Sequence, residues 1–167
     1  PTHRRYRSTF GPETVNVLAS MVKRHYKQPH KFICVTDDPV GIDPDVHVIK
    51  LWKEHADVPS PHGTLNPSCY RRLRAFSLEA EAMFGRRFVS LDLDCVIVDD
   101  MTPVWDRPEE FVIWGDTNPT TPYNGSMFLL TAGTRTKVWD KFDPVYSPLR
   151  GRSLGYWGSD QAWIAAV

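Results

Sequence analysis

Apolar residues recur along the chain with a helical period in two long stretches. In PETVNVLASMVKRHY they lie three or four residues apart, which predicts a helix from about Pro12 to Tyr26. SCYRRLRAFSLEAEAMF has the same period, and we expect Ser68 to cap the start of its helix. The apolar face of this second helix would consist of Leu73, Phe76, Ala80 and Met83.

Shorter apolar runs between these stretches predict strands. They are KFICVTDD, VHVIKL, RFVSLDLDCVIVDD, EFVIWGD and NGSMFLLT. DDMTPVWD predicts a short turn or helix, TRTKVWDKF and SDQAWIAA predict helices, and DPVYSPLRGRSLGYWG is irregular. Strands that alternate with helices are typical of an α/β layered fold with a mainly parallel sheet. We expect the strand that carries Val89, Leu91 and Leu93 to lie at its centre.

Composition narrows the class of protein. The chain has 167 residues, 41% of them hydrophobic, which suits one domain spanning residues 1–167. The chain begins with Pro1 and not with methionine, so the alternative that the domain is incomplete at one or both ends stays open. Twenty basic residues balance twenty acidic ones, so no overall field favours nucleic acid. No apolar run is long enough for a membrane span, and the N-terminus lacks the apolar core of a signal peptide. The three cysteines lack the spacing of a metal site or a disulfide framework, so we expect a cytoplasmic protein.

Two aspartates interrupt the run RFVSLDLDCVIVDD. Side chains alternate along a strand, so Asp92 and Asp94 would emerge on the same side, near the strand's end. Carboxylate oxygens in this arrangement can hold Mg²⁺ or Mn²⁺, which often bridges to substrate phosphates. In the alternative, the strand ends at Leu91 and both aspartates lie in a solvated turn.

The run VSLDLDCVIVDDMTPVW resembles the metal-binding segment of nucleotide-sugar glycosyltransferases with the GT-A fold, especially those of the glycogenin and bacterial lipopolysaccharide galactosyltransferase type. YRRLRAF before it, and YNGSMFL and GSDQAWI after it, resemble further segments of that family in the same order. The resemblance implies a Rossmann-like three-layer sandwich with a mainly parallel central sheet. It also implies sugar transfer from a nucleotide-diphosphate sugar, a UDP-sugar, to a carbohydrate or other acceptor, with Mn²⁺ or Mg²⁺.

The resemblance also assigns residues. Asp92 and Asp94 would hold the metal, and Arg72 would contact the donor phosphates. In the alternative interpretation, Arg72 belongs to a solvated basic face of its helix. Asn124, Asp160 and Gln161 would surround the transferred sugar. Asp37 is a candidate nucleotide-binding residue for a different reason, its position at the end of a strand, where an acid can contact ribose or base. A turn-forming role fits Asp37 equally well.

The chain departs from the family pattern in three ways. Only RYRSTF precedes the first helix, where the family has a strand that contacts the base. The family's third metal ligand is a histidine well beyond the GSDQAWI segment, and this chain ends at Val167. Gly125 and Ser126 stand in swapped order.

Other interpretations stay open. DLDCVIV also fits haloacid dehalogenase-like phosphatases, in which Asp92 would be the nucleophile, Asp94 a general acid and Lys137 the later lysine. A non-catalytic nucleotide- or sugar-binding relative is the third interpretation. His55 and His62, in the long loop from Trp52 to Pro67, lack the spacing of a metalloenzyme helix. Most tryptophans are expected in the core, with Trp114 and Trp157 as candidate sugar platforms.

Overall fold

The first third of the molecule is a helix followed by two short strands. In this computed structural model, residues 10–61, 63, 67–115 and 118–167 are described. Helix α1 spans Pro12–His25, and strands β1 and β2 span Ile33–Thr36 and His47–Lys50. Proline at the start of α1 needs no amide partner there, and the basic residues of its last turn favour the helix dipole. The predicted helix is confirmed.

The second predicted helix is in fact two elements, so the prediction of one long helix is wrong. A 3₁₀ helix spans Cys69–Phe76, and a short helix α2 spans Ala80–Phe84. Tyr70, Leu73 and Phe76 are fully buried at intervals of three residues, and three residues per turn keeps them on one face. Ser68 precedes the 3₁₀ helix, but its side chain makes no capping hydrogen bond.

The remaining elements follow in the order β3, α3, β4, β5, α4, α5 and α6. They span Arg87–Leu91, Thr102–Trp105, Phe111–Gly115, Tyr123–Thr131, Lys137–Asp140, Tyr146–Ser153 and Asp160–Ala166. The hydroxyl of Ser159 caps α6 by accepting a hydrogen bond from the Ala162 amide. Helix α5 lies in the stretch predicted to be irregular, because Pro148 and Gly151 obscure a helical pattern.

Within the described residues, the strands form two small sheets and not one large one. β1 and β2 pair in parallel, whereas β3, β5 and β4 form an antiparallel sheet in that order. The prediction of a Rossmann-like three-layer sandwich with a mainly parallel central sheet is therefore wrong. β3 also lies at the edge of its sheet and not at the centre, with Val89 and Leu91 only half-buried.

The core joins the antiparallel sheet to the 3₁₀ helix, α4 and α6. Its cluster of buried side chains includes Tyr70, Leu73, Phe76, Phe88, Phe128, Leu130, Val138, Trp163 and Ile164. The indole nitrogen of Trp163 donates to the Val138 carbonyl at 2.8 Å, which satisfies its one polar group inside the core. In the described part of the chain no helix has the length and apolar character needed to cross a membrane.

Candidate functional site

Arg72 connects four separate stretches of the chain. Its Nη1 donates to the Gly125 carbonyl at 2.6 Å, and its Nη2 donates to Oδ1 of Asp92. Its Nε lies 3.7 Å from Oδ2 of Asp160. Burial opposes the charge of Arg72, but Asp160 and Asp92 outweigh it, so the pKa of the guanidinium is raised. The predicted alternative of a solvated basic face does not describe this side chain, which is 31% exposed.

Gly125 is the backbone junction of the site. Its carbonyl accepts from Arg72, and its amide donates to Oε1 of Gln161 at 2.8 Å. A Cβ at this position would lie 2.8 Å from Arg72 Nη1 and 3.2 Å from Gln161 Oε1. Sequence reasoning missed this residue, and the only signal for it was the swapped order of Gly125 and Ser126. The close approach of two side chains gives a physical reason for glycine here.

Asp92 lies just beyond β3, in a turn. Its amide donates to the Ser126 carbonyl at 2.8 Å, and its own carbonyl accepts from the Cys95 amide. The strand therefore ends at Leu91, as in the alternative interpretation, but Asp92 is not fully solvated, since its side chain is 32% exposed. Burial raises the pKa of the Asp92 carboxyl, and the nearby Arg72 opposes that shift.

Asp94 is exposed and stands close enough to raise the pKa of Asp92 further. One guanidinium, Arg72, thus faces the carboxylates of Asp92 and Asp160, with Asp94 beside them. This excess of negative charge and the all-oxygen donor set suit Mg²⁺ or Mn²⁺. Among the described residues, no group of three or more His, Cys, Asp or Glu side chains could hold a metal ion. Asp92 and Asp94 alone do not make a complete site, so a bound substrate and water would have to supply further ligands.

Asp160 is the buried acid of the site. It opens α6 beneath Arg72 and is 6% exposed. It lies next to Cys69, where burial and the Asp160 charge both raise the pKa of the thiol. Cys69 therefore stays protonated at neutral pH and does not supply a thiolate. The pKa of the neighbouring Tyr70 hydroxyl is also raised, mainly by burial.

Asn124 and Asp37 are placed differently from the central group. Asn124 lies on β5 next to Gly125, but its Oδ1 accepts from the Ser126 amide at 2.9 Å, which makes it a local turn contact. Asp37 follows β1 in the other sheet and is exposed. None of the contacts described for this chain joins Asp37 to Arg72 or Asp92. The structure thus brings together Arg72, Asp92, Asp160 and Gln161, with Asn124 adjacent.

Two tryptophans expose their rings on elements that lead into the site. Trp114 is 67% exposed and pairs with Asn124 across the sheet, and Trp157 is 54% exposed three residues before Asp160. The backbone amide of Trp157 donates to the Thr120 carbonyl at 2.8 Å, which fixes the segment before α6. Trp163 is buried in the core and Trp139 packs against it half-buried, whereas Trp105 is half-buried outside the core cluster, so the prediction that most tryptophans are in the core holds only in part.

In the long loop, His55 packs away from this site. The ring of His55 packs against Trp139 and Phe142, with centroids 4.8 and 4.6 Å away. His62 lies outside the described residues. Comparison with family models, curated proteins and solved structures finds no match for the chain.

Proposed function

We propose that the chain is a glycosyltransferase domain that transfers a sugar from a nucleotide-diphosphate sugar, most simply a UDP-sugar, to a carbohydrate or other acceptor. One observation carries the proposal. Arg72 contacts Asp92 and Gly125 and approaches Asp160, and these residues come from the four sequence segments that resemble glycosyltransferases. The proposal rests on this cluster and not on the predicted three-layer sandwich, which the sheet topology contradicts.

Arg72 would bind the diphosphate of the donor. A guanidinium matches phosphate oxygens with its planar set of donors, and Arg72 stays charged beside its two carboxylates. Phosphate oxygens would replace Asp92 as the partner of Nη2, whereas Nη1 would keep its hydrogen bond to Gly125. The exchange would release the Asp92 carboxylate at the moment the donor arrives.

Asp92 and Asp94 would hold Mn²⁺ or Mg²⁺ together with the diphosphate. The bound ion would supply positive charge that stabilises the departing nucleoside diphosphate. Asp92 would then share its negative charge with the ion in place of Arg72. Because two carboxylates alone hold such an ion weakly, we expect metal and nucleotide to bind well only together.

Gln161 and Asp160 would orient the sugar. Oε1 of Gln161 accepts a hydrogen bond from the Gly125 amide, whereas its side-chain nitrogen makes no hydrogen bond to a described residue. That nitrogen can donate to a sugar hydroxyl while the oxygen stays fixed. Asp160 is held by Arg72 and can accept from another hydroxyl. Asn124 would keep Gly125 and Ser126 in position through its turn contact.

The phosphatase interpretation has less support. A nucleophilic Asp92 needs a free carboxylate oxygen near a lysine, but Arg72 engages its Oδ1 and no described contact joins Lys137 to it. A non-catalytic nucleotide-binding relative would share the binding step and lack only the transfer.

Calorimetric titration with Mn²⁺ and UDP tests the proposal. We expect each ligand to strengthen the binding of the other, because the diphosphate completes the metal coordination that Asp92 and Asp94 begin. Asp94→Asn should remove most of this mutual enhancement and weaken UDP binding in the presence of Mn²⁺ by about tenfold, about 1.4 kcal/mol.

Asp106→Asn is the matched control, since Asp106 is an exposed aspartate outside the cluster and should leave binding unchanged. Equal binding by wild type and Asp94→Asn would overturn the metal assignment. If UDP and Mn²⁺ bind as expected, release of sugar from UDP-sugars separates a transferase from a non-catalytic relative. Trapping of an aspartyl-phosphate at Asp92 with simple phosphate esters would establish the phosphatase instead.

A further inference from the structure

Two strands of different sheets each have one open edge. In the described part of the chain, β1 pairs only with β2, and β3 pairs only with β5. Consecutive residues of both strands, 33–35 of β1 and 87–91 of β3, line one cavity of about 570 Å³. Because neighbouring side chains in a strand point to opposite faces, lining by consecutive residues places the cavity along the strand edges. An open strand edge presents a row of unpaired backbone donors and acceptors, which is a template for another strand.

The walls of this cavity are mainly apolar, and its surroundings are fixed. It is lined by side chains from α1, both strands, the 3₁₀ helix and α2, among them Leu18, Val22, Val35, Ala75, Phe84 and Val89. The elements around it are tied together by hydrogen bonds to backbone carbonyls. The Met101 amide donates to the His25 carbonyl at 2.8 Å, and the indole nitrogen of Trp52 donates to the Arg71 carbonyl at 2.8 Å.

The strands that border the cavity are unusually exposed for their composition. The run Ile33–Val35 is wholly apolar, which is typical of a strand buried on both faces, yet each of its residues is only half-buried. Two parallel strands of four residues do not make a stable sheet alone. A strand in the cavity would cover these side chains and satisfy both edges.

We infer that the cavity is a binding site for an extended apolar polypeptide strand. The strand pairs with β1 on one side and with β3 on the other, and it joins the two sheets into one. β1 has four residues and β3 has five, so the bound segment pairs over four to five residues, about 15 Å of extended chain. Backbone hydrogen bonds supply affinity, and apolar side chains on both faces of the strand supply selectivity. The inference rests on strand edges and not on the proposed function, and Arg72 lines this cavity as well as the cluster described above.

Hydrogen exchange with a synthetic peptide tests this inference. The probe is a capped seven-residue peptide with lysine at each end and valine–threonine–valine–valine–valine between. We expect it to slow the exchange of amides in both Ile33–Thr36 and Arg87–Leu91 by about tenfold or more. The same peptide with proline at its central position should have no effect, because it cannot complete the ladder.

Val89→Lys places a charge inside the cavity and should abolish the protection by the peptide, whereas Val17→Lys, on the exposed face of α1, should retain it. The comparison of the two peptides on the wild-type chain decides the matter even if Val89→Lys fails to fold. Absence of protection, or protection of one strand only, would overturn the inference. Slow exchange of the amides of both strands before peptide is added would also overturn the inference. So would protection that rises with protein concentration alone, because it would indicate that a second copy of the chain occupies the cavity.

Discussion

At the scale of single residues, the site depends on how closely the chain approaches Arg72. The guanidinium has three different partners, and one of them is the carbonyl of a residue that has no side chain. Gln161 holds the amide of the same residue, so Gly125 is fixed from both sides. Any side chain at position 125 must displace one of these two groups.

Gly125→Ala tests this packing. The added methyl would lie 2.8 Å from Arg72 Nη1, and the end of that flexible side chain would have to move. We expect UDP affinity in the presence of Mn²⁺ to fall about tenfold, with a loss of unfolding free energy below about 2 kcal/mol. Calorimetry and denaturant unfolding provide the two measurements.

Gly115→Ala is the matched control, since a Cβ at Gly115 meets nothing within 4 Å and neither glycine has a left-handed φ. It should leave nucleotide binding unchanged. A Gly125→Ala variant that binds UDP as tightly as wild type would show that the junction does not position Arg72 for the ligand.

The resemblance to glycosyltransferase segments predicted Arg72, Asp92, Asp160 and Gln161 as members of one site. They could not predict Gly125, because its role lies in the room around its backbone and not in a functional group. Asp37 is the opposite case. A carboxylate at a strand end is a reasonable ligand, but β1 belongs to the smaller sheet, and no described contact links Asp37 to the cluster.

At the scale of elements, apolar periodicity predicted α1 and most of the strands well. The same periodicity did not distinguish an α-helix from a 3₁₀ helix, because their periods of about 3.6 and 3.0 residues look alike over a short stretch. Tyr70, Leu73 and Phe76 fit the face of a short α-helix as well as that of a 3₁₀ helix, and the 3₁₀ helix ends at Phe76, before the buried and extended Ser77. α5 was missed because proline and glycine are read as breaks in a pattern.

The loop after β2 provides an element whose packing depends on pH. His55 adopts a positive φ of 59° and packs its ring on Trp139 and Phe142. Burial lowers the pKa of His55, although Glu54 opposes this, so the unfolded chain takes up a proton before the folded one does. The stability that neutral His55 contributes is full above the ordinary histidine pKa of 6.5 and is lost as pH falls through it towards the lowered value.

We therefore expect the Tm of the wild-type chain to fall as pH decreases through this window. In His55→Asn the fall should be weaker, because asparagine tolerates the positive φ and does not titrate. Thermal unfolding followed by circular dichroism over a pH series would show the difference. Parallel pH profiles for the two proteins would mean that His55 does not carry this dependence.

At the scale of the whole molecule, strand pairing could not be obtained from the apolar pattern. An apolar run predicts a strand but does not show its partner or direction. A usable signal was present between β4 and β5, whose connection of seven residues, 116–122, is too short for a parallel crossover and favours an antiparallel pair. Nothing comparable indicated that β5 would separate β3 from β4.

The cluster around Arg72 is central to the whole molecule, because we propose that a nucleotide diphosphate binds there. Nuclear magnetic resonance of the ¹⁵N-labelled chain, titrated with UDP and the diamagnetic ion Mg²⁺, tests that claim most directly. We predict that the Gly125 amide and the Arg72 Nε–H shift together and reach saturation with one affinity. Gly85 and Gly133, in turns away from the cluster, should not move. Saturable shifts located elsewhere, with Gly125 and Arg72 unchanged, would contradict the account.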